Sequence, residues 1–178
     1  PDTEVLLLVN GMGLPEIAAG ILPQASLFSG TTTEGAYRIQ PRHIHHAGSG
    51  ITLVGSPDKI SQPQWFAAWQ SLSLDCRWEA DIERALWHKL AINCAINPLT
   101  AIHGCRNGEL ARDEKLRREV TSLCDEIAAV SHALGFTHTA QIIHSASLEV
   151  IQATAENRSS MLQSRTRSQA ASSIASSY

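Results

Sequence analysis

EADIERALWHKLAINCAINPLT, residues Glu79–Thr100, is the stretch on which the reading of this chain turns. It spaces Lys89, Asn93 and Asn97 four residues apart, so at about 100° per residue they project from one helix face and drift only slowly around it. Ile82, Leu86, Leu90 and Ile96 fall within the same arc, whereas Glu83, Arg84, Trp87 and His88 take the other sides. The lysine is therefore expected to look inward. An unpaired ammonium turned toward a core costs several kcal/mol or gives up its proton, so it needs a carboxylate, a cleft or a ligand. A lysine that snorkels at the rim of the core is the plain alternative. Two asparagines on the same stripe weigh toward a site. Pro98 has no amide hydrogen and disfavours helical geometry at Asn97, so the helix is expected to break there and leave backbone groups free to bind.

Upstream of this stretch, Glu4–Val9 is a continuous aliphatic run, the pattern of a strand covered on both faces in a parallel α/β sheet. Asn10, Gly11, Met12 and Gly13 follow, and Pro15 suits the first turn of a helix reaching about Ile21. Ligands bind at the carboxyl ends of strands in such sheets, and glycines let backbone approach them. Gly11 and Gly13 do not form GxGxxG and identify no cofactor by themselves. Ala25–Gly30 reads as a second strand leading into Thr31, Thr32, Thr33, Glu34 and Gly35, where the hydroxyls either line a cleft or belong to an edge strand. Tyr37–His46 and Ser49–Val54 alternate around Gly48 and Gly50 as a hairpin. His43, His45 and His46 lie on that hairpin, but no cysteine or carboxylate is spaced to complete a metal shell, so no metal site is expected. Gln62–Leu72 reads as a short amphipathic helix with Trp65, Phe66 and Trp69 at core spacing, and Cys76–Trp78 as one more strand.

Downstream, His103–Leu110 is a loop with an Asn107–Gly108 turn signal. Arg112–Leu134 is a second long helix stopped by Gly135, and His138–Ala155 a third. Asn157, Arg158, Ser159, Ser160 and Met161 form a small polar turn, able to hold a carboxylate through hydroxyl and N–H groups or simply to cap a helix. Ser164–Tyr178 is serine-rich without helix or strand periodicity and is expected to be disordered. The organisation is thus an α/β part over 1–78, a helical part over 79–163 and a tail over 164–178.

Composition narrows the partners. With 178 residues, 43% hydrophobic and 17% charged, the chain can bury a real core. A net charge of −3 offers no basic field, which argues against nucleic acid and anionic membrane surfaces. Cys76, Cys94, Cys105 and Cys124 contain no CxxC pair and read as reduced, buried thiols of a cytoplasmic protein. No 18-residue apolar run is long enough to span a membrane, and Val5–Val9 lacks the basic flank of a signal peptide. Pro1 is not an initiator methionine, and the chain reads like a fragment that begins within a domain.

VNGMG at 9–13, GTTTEGAYR at 30–38, LWHKLAINCAINPLTAI at 86–102, NGEL at 107–110 and AENRSSMLQ at 155–163 together resemble the ketopantoate reductase (2-dehydropantoate 2-reductase) family. The resemblance covers roughly residues 4–163 and is specific, because five separated motifs occur in the family's order. It implies a Rossmann-type remnant followed by an all-α domain like the C-terminal domain of 6-phosphogluconate dehydrogenase. It also implies reduction of ketopantoate by NADPH, in pantothenate and coenzyme A biosynthesis, in a cleft between the two domains. By motif, Lys89 resembles the catalytic lysine that protonates or polarises the keto oxygen, and Asn93, Asn97 and Asn107 resemble substrate-holding amides. Asn157, Ser159 and Ser160 match the substrate-contacting segment, with Ser160 as the best-matched hydroxyl, and Asn10 and Ala36 match positions near the cofactor.

Two departures accompany the resemblance. The family's opening βαβ unit, with GxGxxG and the basic residue that selects the 2′-phosphate of NADPH, has no counterpart, and Ser172 and its neighbours stand where the family carries an acidic residue. The chain alone is therefore expected to bind NADPH poorly and turn over little. Two further readings stay open: a helical interaction module in which Lys89 pairs with a carboxylate such as Glu149, and a reductase of another 2-keto acid. The sequence sets no oligomeric state.

Overall fold

The aliphatic run near the N-terminus forms β1 (Glu4–Leu8), followed by a turn in which Gly11 and Gly13 take φ of 95 and 90°, and by α1 (Leu14–Ile21) with Pro15 in its first turn. The computed structural model describes residues 3–72 and 74–175. β2 (Ser26–Thr32) returns parallel to β1, with Leu27 beside Val5 and Ser29 beside Leu7. Val5–Leu7 are half-buried rather than sealed on both faces. β3 (Gly35–Gln40) and β4 (His43–Gly48) form a separate antiparallel pair, closed by a tight turn in which Arg42 takes φ 65°. The hairpin therefore turns at 41–42 and not around Gly48–Gly50. Gly48 and Gly50 instead bracket the step into β5 (Ile51–Gly55), which pairs antiparallel with β2.

The helix expected over Gln62–Leu72 is short, α2 (Phe66–Gln70), flanked by turns. β6 (Asp75–Trp78) then joins β5 in parallel, giving a four-stranded mixed sheet in the order β1-β2-β5-β6. Its core gathers Val54, Phe66 and Cys76, with Leu6, Trp65, Trp69 and Trp78 packed against them. Phe28 is buried and meets the Trp65 and Trp78 rings edge-on at 5.4 and 6.1 Å.

α3 (Ile82–His103) runs through Pro98 without a break. The amide missing at Pro98 would have bonded the Cys94 carbonyl, and Cys94 is exposed, so that carbonyl can be hydrated. Ala95, Ile96, Leu99 and Thr100 are buried around the proline and hold both sides of the helix in place. The chain folds as two compact units, Pro1–Lys89 and Leu90–Tyr178. The division falls within α3.

The second unit is helical: α4 (Glu109–Arg112), α5 (Glu114–Ala133), α6 (Thr137–Ala153) and α7 (Ser160–Ala175). Asp113 caps α5 by accepting from the Leu116 amide at 3.0 Å. Ala91, Ala95, Ile96 and Leu99 of α3 share a core with Leu110, Cys124, Ile143 and Ile151. Residues 164–175, expected to be disordered, continue α7. Alanine, glutamine and arginine favour helix, and tertiary contacts supply what the polar composition lacks. Leu162 is buried, and the Arg165 guanidinium donates to the Ala101 and Ile102 carbonyls at the end of α3. Residues 176–178 of that expectation lie outside the described residues. All four cysteines are free thiols; Cys76, Cys105 and Cys124 are buried, while Cys94 departs from the expectation.

Candidate active site

Lys89 lies on α3 within the first unit and is half-buried. Its Nζ donates to the Thr32 carbonyl, at the end of β2, over 2.6 Å. Burial holds the Lys89 pKa below the ordinary lysine range, because the neutral amine loses less hydration than the ammonium. Among the described residues Lys89 forms no ion pair, and Glu149, the carboxylate of the structural alternative, is exposed on α6.

The threonine run proves to be an anchor rather than a row of free hydroxyls. Thr32 Oγ1 accepts from Thr52 Oγ1 at 2.8 Å and from the Glu34 amide at 3.1 Å. Thr33 Oγ1 accepts from the Ile51 amide at 2.8 Å, and the Thr33 amide donates to the Ile51 carbonyl at 3.0 Å. Thr31 is buried. What this segment offers the lysine is a main-chain oxygen, which residue type does not signal.

Further along the same face of α3, Asn93 and Asn97 are half-buried at the rim, while Ala91, Ala95, Ile96 and Leu99 take the centre of the core. The polar stripe expected to look inward thus borders the core. In the second unit, the Asn97 carbonyl accepts from Thr100 Oγ1 at 3.0 Å. The Thr100 and Ser159 hydroxyls are 2.7 Å apart, and Ser159 Oγ also accepts from the Leu162 amide at 3.1 Å, capping α7. Ser159 is buried, with its hydrogen bonding spent inside the protein; Ser160 beside it is exposed.

Asn107 is likewise internal. Its Nδ2 donates to Thr154 Oγ1 at 2.8 Å, and its amide and that of Gly108 donate to the Asn157 and Ala155 carbonyls at 3.1 and 3.0 Å. Asn107 Oδ1 is buried without a hydrogen-bond partner. In this structure the Ser159 and Asn107 side chains are buried and bond within the segment joining α6 and α7 and to Thr100. The Asn157 side chain is exposed. Asn10 is exposed in the turn after β1, and Ala36 is exposed on β3 opposite His46. Thr100 is the contributor that the sequence reading did not single out, marked only by its position near the helix end, whereas Thr32 contributes through its carbonyl and not through the hydroxyl that the sequence offered.

Glu34 also alters the picture of the histidine cluster. Its carboxylate, one residue before β3, meets His46 Nε2 at 2.6 Å and accepts from the Gly50 amide at 2.9 Å. The Gly50 amide first and His46 second hold the Glu34 carboxyl below the usual range. Tyr37 stacks on His45 with ring centroids 5.1 Å apart. Among the described residues no group of three or more His, Cys, Asp or Glu is placed to hold a metal ion, and no helix is long and apolar enough to cross a membrane.

Replacing Ser159 with alanine is expected to lower stability by about 1–2 kcal/mol, since it removes the α7 cap and leaves the buried Thr100 hydroxyl with one partner fewer. Urea unfolding followed by far-UV circular dichroism reads this loss. An unchanged midpoint would free Ser159 for a role in ligand contact.

Comparison with known proteins follows the same two parts. Residues 1–59 match the family described as Ketopantoate reductase PanE/ApbA, and residues 81–171 match Ketopantoate reductase PanE/ApbA C terminal, which extends well into the serine-rich stretch expected to depart from it. The chain is 38% identical over 164 residues to the 2-dehydropantoate 2-reductase of Vibrio cholerae, covering 91% of this chain and 55% of that protein. It is 41% identical over 163 residues to the protein of the same name from Escherichia coli O157:H7, covering 90% and 52%. The crystal structure of 2-dehydropantoate 2-reductase from Geobacter metallireducens GS-15 superposes with a TM-score of 0.82 at 25% identity, covering 93% of this chain and 56% of that one. The chain spans about half the length of these curated relatives. With matches to both parts in the order the fold presents them, the chain belongs to the ketopantoate reductase PanE/ApbA family.

Proposed function

We propose that this chain carries the proton-donating and substrate-holding groups of an NADPH-dependent reductase that converts 2-dehydropantoate to pantoate. The observation that carries the reading is Lys89: a half-buried ammonium held by the Thr32 carbonyl, with Asn93 and Asn97 one and two turns further along the same helix face. The family's relatives bear the name of that reaction.

Reduction of a ketone builds negative charge on its oxygen. A positioned ammonium stabilises that charge and then transfers a proton, and a pKa lowered by burial makes the transfer easier. The Thr32 carbonyl takes one of the three N–H donors and leaves the others for the substrate oxygen. Asn93 and Asn97 supply neutral donors to the substrate's polar groups, where a second cation would compete with Lys89 for the carboxylate. Asn157 and Ser160, exposed at the start of α7, are further donors, and Asn107 and Ser159 support that turn from within.

In this reading the turn after β1, at the carboxyl end of a strand, is where a nicotinamide cofactor would be held. Gly11 and Gly13 leave open space above the backbone at the carboxyl end of a strand, with Asn10 exposed beside them. Asn10 and, on β3, Ala36 are the residues that would hold it. The bound cofactor supplies the hydride.

Within this reading the chain by itself binds NADPH weakly and turns over slowly, because it lacks the GxGxxG fingerprint and spans about half of its relatives' length. The test is NADPH oxidation by the purified chain with 2-dehydropantoate, beside the Vibrio cholerae relative. A rate comparable to the relative's refutes the weak-activity half, and failure of the chain to accelerate the reaction at any protein concentration counts against the assigned reaction.

A further inference from the structure

The acceptor that receives Lys89 is itself held by a second set of contacts. Thr32 ends β2, and the chain then bends through Thr33 and Glu34 into β3. Three links tie this bend to the start of β5: Thr52 Oγ1 to Thr32 Oγ1, the Ile51 amide to Thr33 Oγ1, and the Gly50 amide to the Glu34 carboxylate. The other Glu34 oxygen meets His46 on β4, which joins the hairpin to the same point. A side chain at position 50 has no room, since a Cβ there would lie 2.4 Å from the Thr33 carbonyl carbon and 2.6 Å from the Glu34 nitrogen. Glycine is required here by the closeness of two backbones.

We propose that Glu34 is a positioning residue for Lys89, clamping the bend after β2 to Gly50 and His46 so that the Thr32 carbonyl meets the lysine Nζ. Glu34 does not touch the lysine in this arrangement; it acts through the main chain two residues before it. The side chain is short of solvent, at 16% relative exposure, whereas His46 is open at 56%, so the carboxylate is the fixed half of the pair and the imidazole the adjustable one. The inference rests on the reading of Lys89 as the proton donor, but its test reads the ionisation of Lys89 and needs no turnover.

The chain has three lysines, Lys59, Lys89 and Lys115, so lysine 13Cε resonances can be assigned and titrated in the intact protein. With Glu34→Ala, the Lys89 midpoint is expected to fall further below the ordinary lysine range, because the displaced Thr32 carbonyl no longer accepts from the half-buried ammonium. Glu34→Gln, which keeps an acceptor for the Gly50 amide, should leave the Lys89 midpoint close to the wild-type one, and His46→Ala should lower it by less than Glu34→Ala does. A direct effect of the Glu34 charge on Lys89 predicts instead that Glu34→Gln lowers the midpoint as far as Glu34→Ala, since both remove the carboxylate. A midpoint that stays in place or rises in folded Glu34→Ala, or an equal fall in Glu34→Gln, overturns the proposal. Should that variant not fold, an unmoved midpoint in His46→Ala overturns it equally.

Discussion

On the proposed function, replacing Lys89 with alanine is expected to slow 2-dehydropantoate reduction by about 10²–10⁴-fold, the range for removal of a positioned general acid. Thermal unfolding should be no lower than in the wild type. The two halves of this expectation have one cause. Lys89 is desolvated without a carboxylate to compensate it, so its charge is a cost to the fold and an asset only to a ligand. The sign with pH follows from linkage. The folded-state pKa is below the unfolded one, so between them the unfolded chain binds more protons and stability rises with pH. Below the folded pKa the full cost of the buried charge is present, and above the ordinary lysine value it is gone.

Comparing the wild type with Lys89→Met, which keeps the aliphatic stem but no charge, should therefore show a stability deficit of the wild type at neutral pH that closes as the pH rises toward the ordinary lysine range. NADPH oxidation at high protein concentration and urea unfolding across that range check both halves. A large loss of stability with the rate unchanged would turn Lys89 into a structural residue.

Phe66→Ala is expected to cost about 3–5 kcal/mol, a large share of the ~5–15 kcal/mol that holds a typical domain together. Phe66 is fully buried, shares its cluster with Val54 and Cys76, and meets Trp65 and Trp78 edge-on at 6.0 and 5.5 Å. Alanine leaves a cavity among rigid rings that have little freedom to close it. The location of the tryptophans makes the loss easy to assign. Trp65, Trp69, Trp78 and Trp87, all four in the chain, lie in the first unit, whereas α5 and α6, with 20 and 17 residues, belong to the second. The tryptophan-emission transition should move to lower urea by about 2 M, given a slope of roughly 1–3 kcal/mol per M. An emission midpoint within a few tenths of the wild-type value would mean that the ring cluster does not carry the first unit.

Much of the architecture was legible because it depends on local pattern. The glycine turn after β1 and the proline opening α1 specify a strand–turn–helix, and the spacing of Leu116, Val120, Leu123 and Ile127 specifies α5. Errors occurred where a local rule met a tertiary contact. Pro98 predicts a broken helix, but buried Ile96, Leu99 and Thr100 hold both sides of α3. The polarity of residues 164–175 predicts disorder, but Leu162 and Arg165 dock that segment as α7. Alternation predicts a hairpin around Gly48–Gly50, but the preferred partner of β5 is β2, with Gly30 beside Val54.

The same distinction divides the candidate site. The placement of Lys89, Asn93 and Asn97 on one face was determined by sequence alone, because a helix repeats every 3.6 residues wherever it is placed. The lysine's acceptor, 57 residues earlier, and the bonding of Thr100 to Ser159, 59 residues later, were decided by the tertiary structure. No spacing rule reaches across such separations. Main-chain carbonyls carry no residue identity, and a serine or asparagine reads the same whether it faces solvent or is sealed inside. Only packing determines which of them has a hydrogen bond left to give.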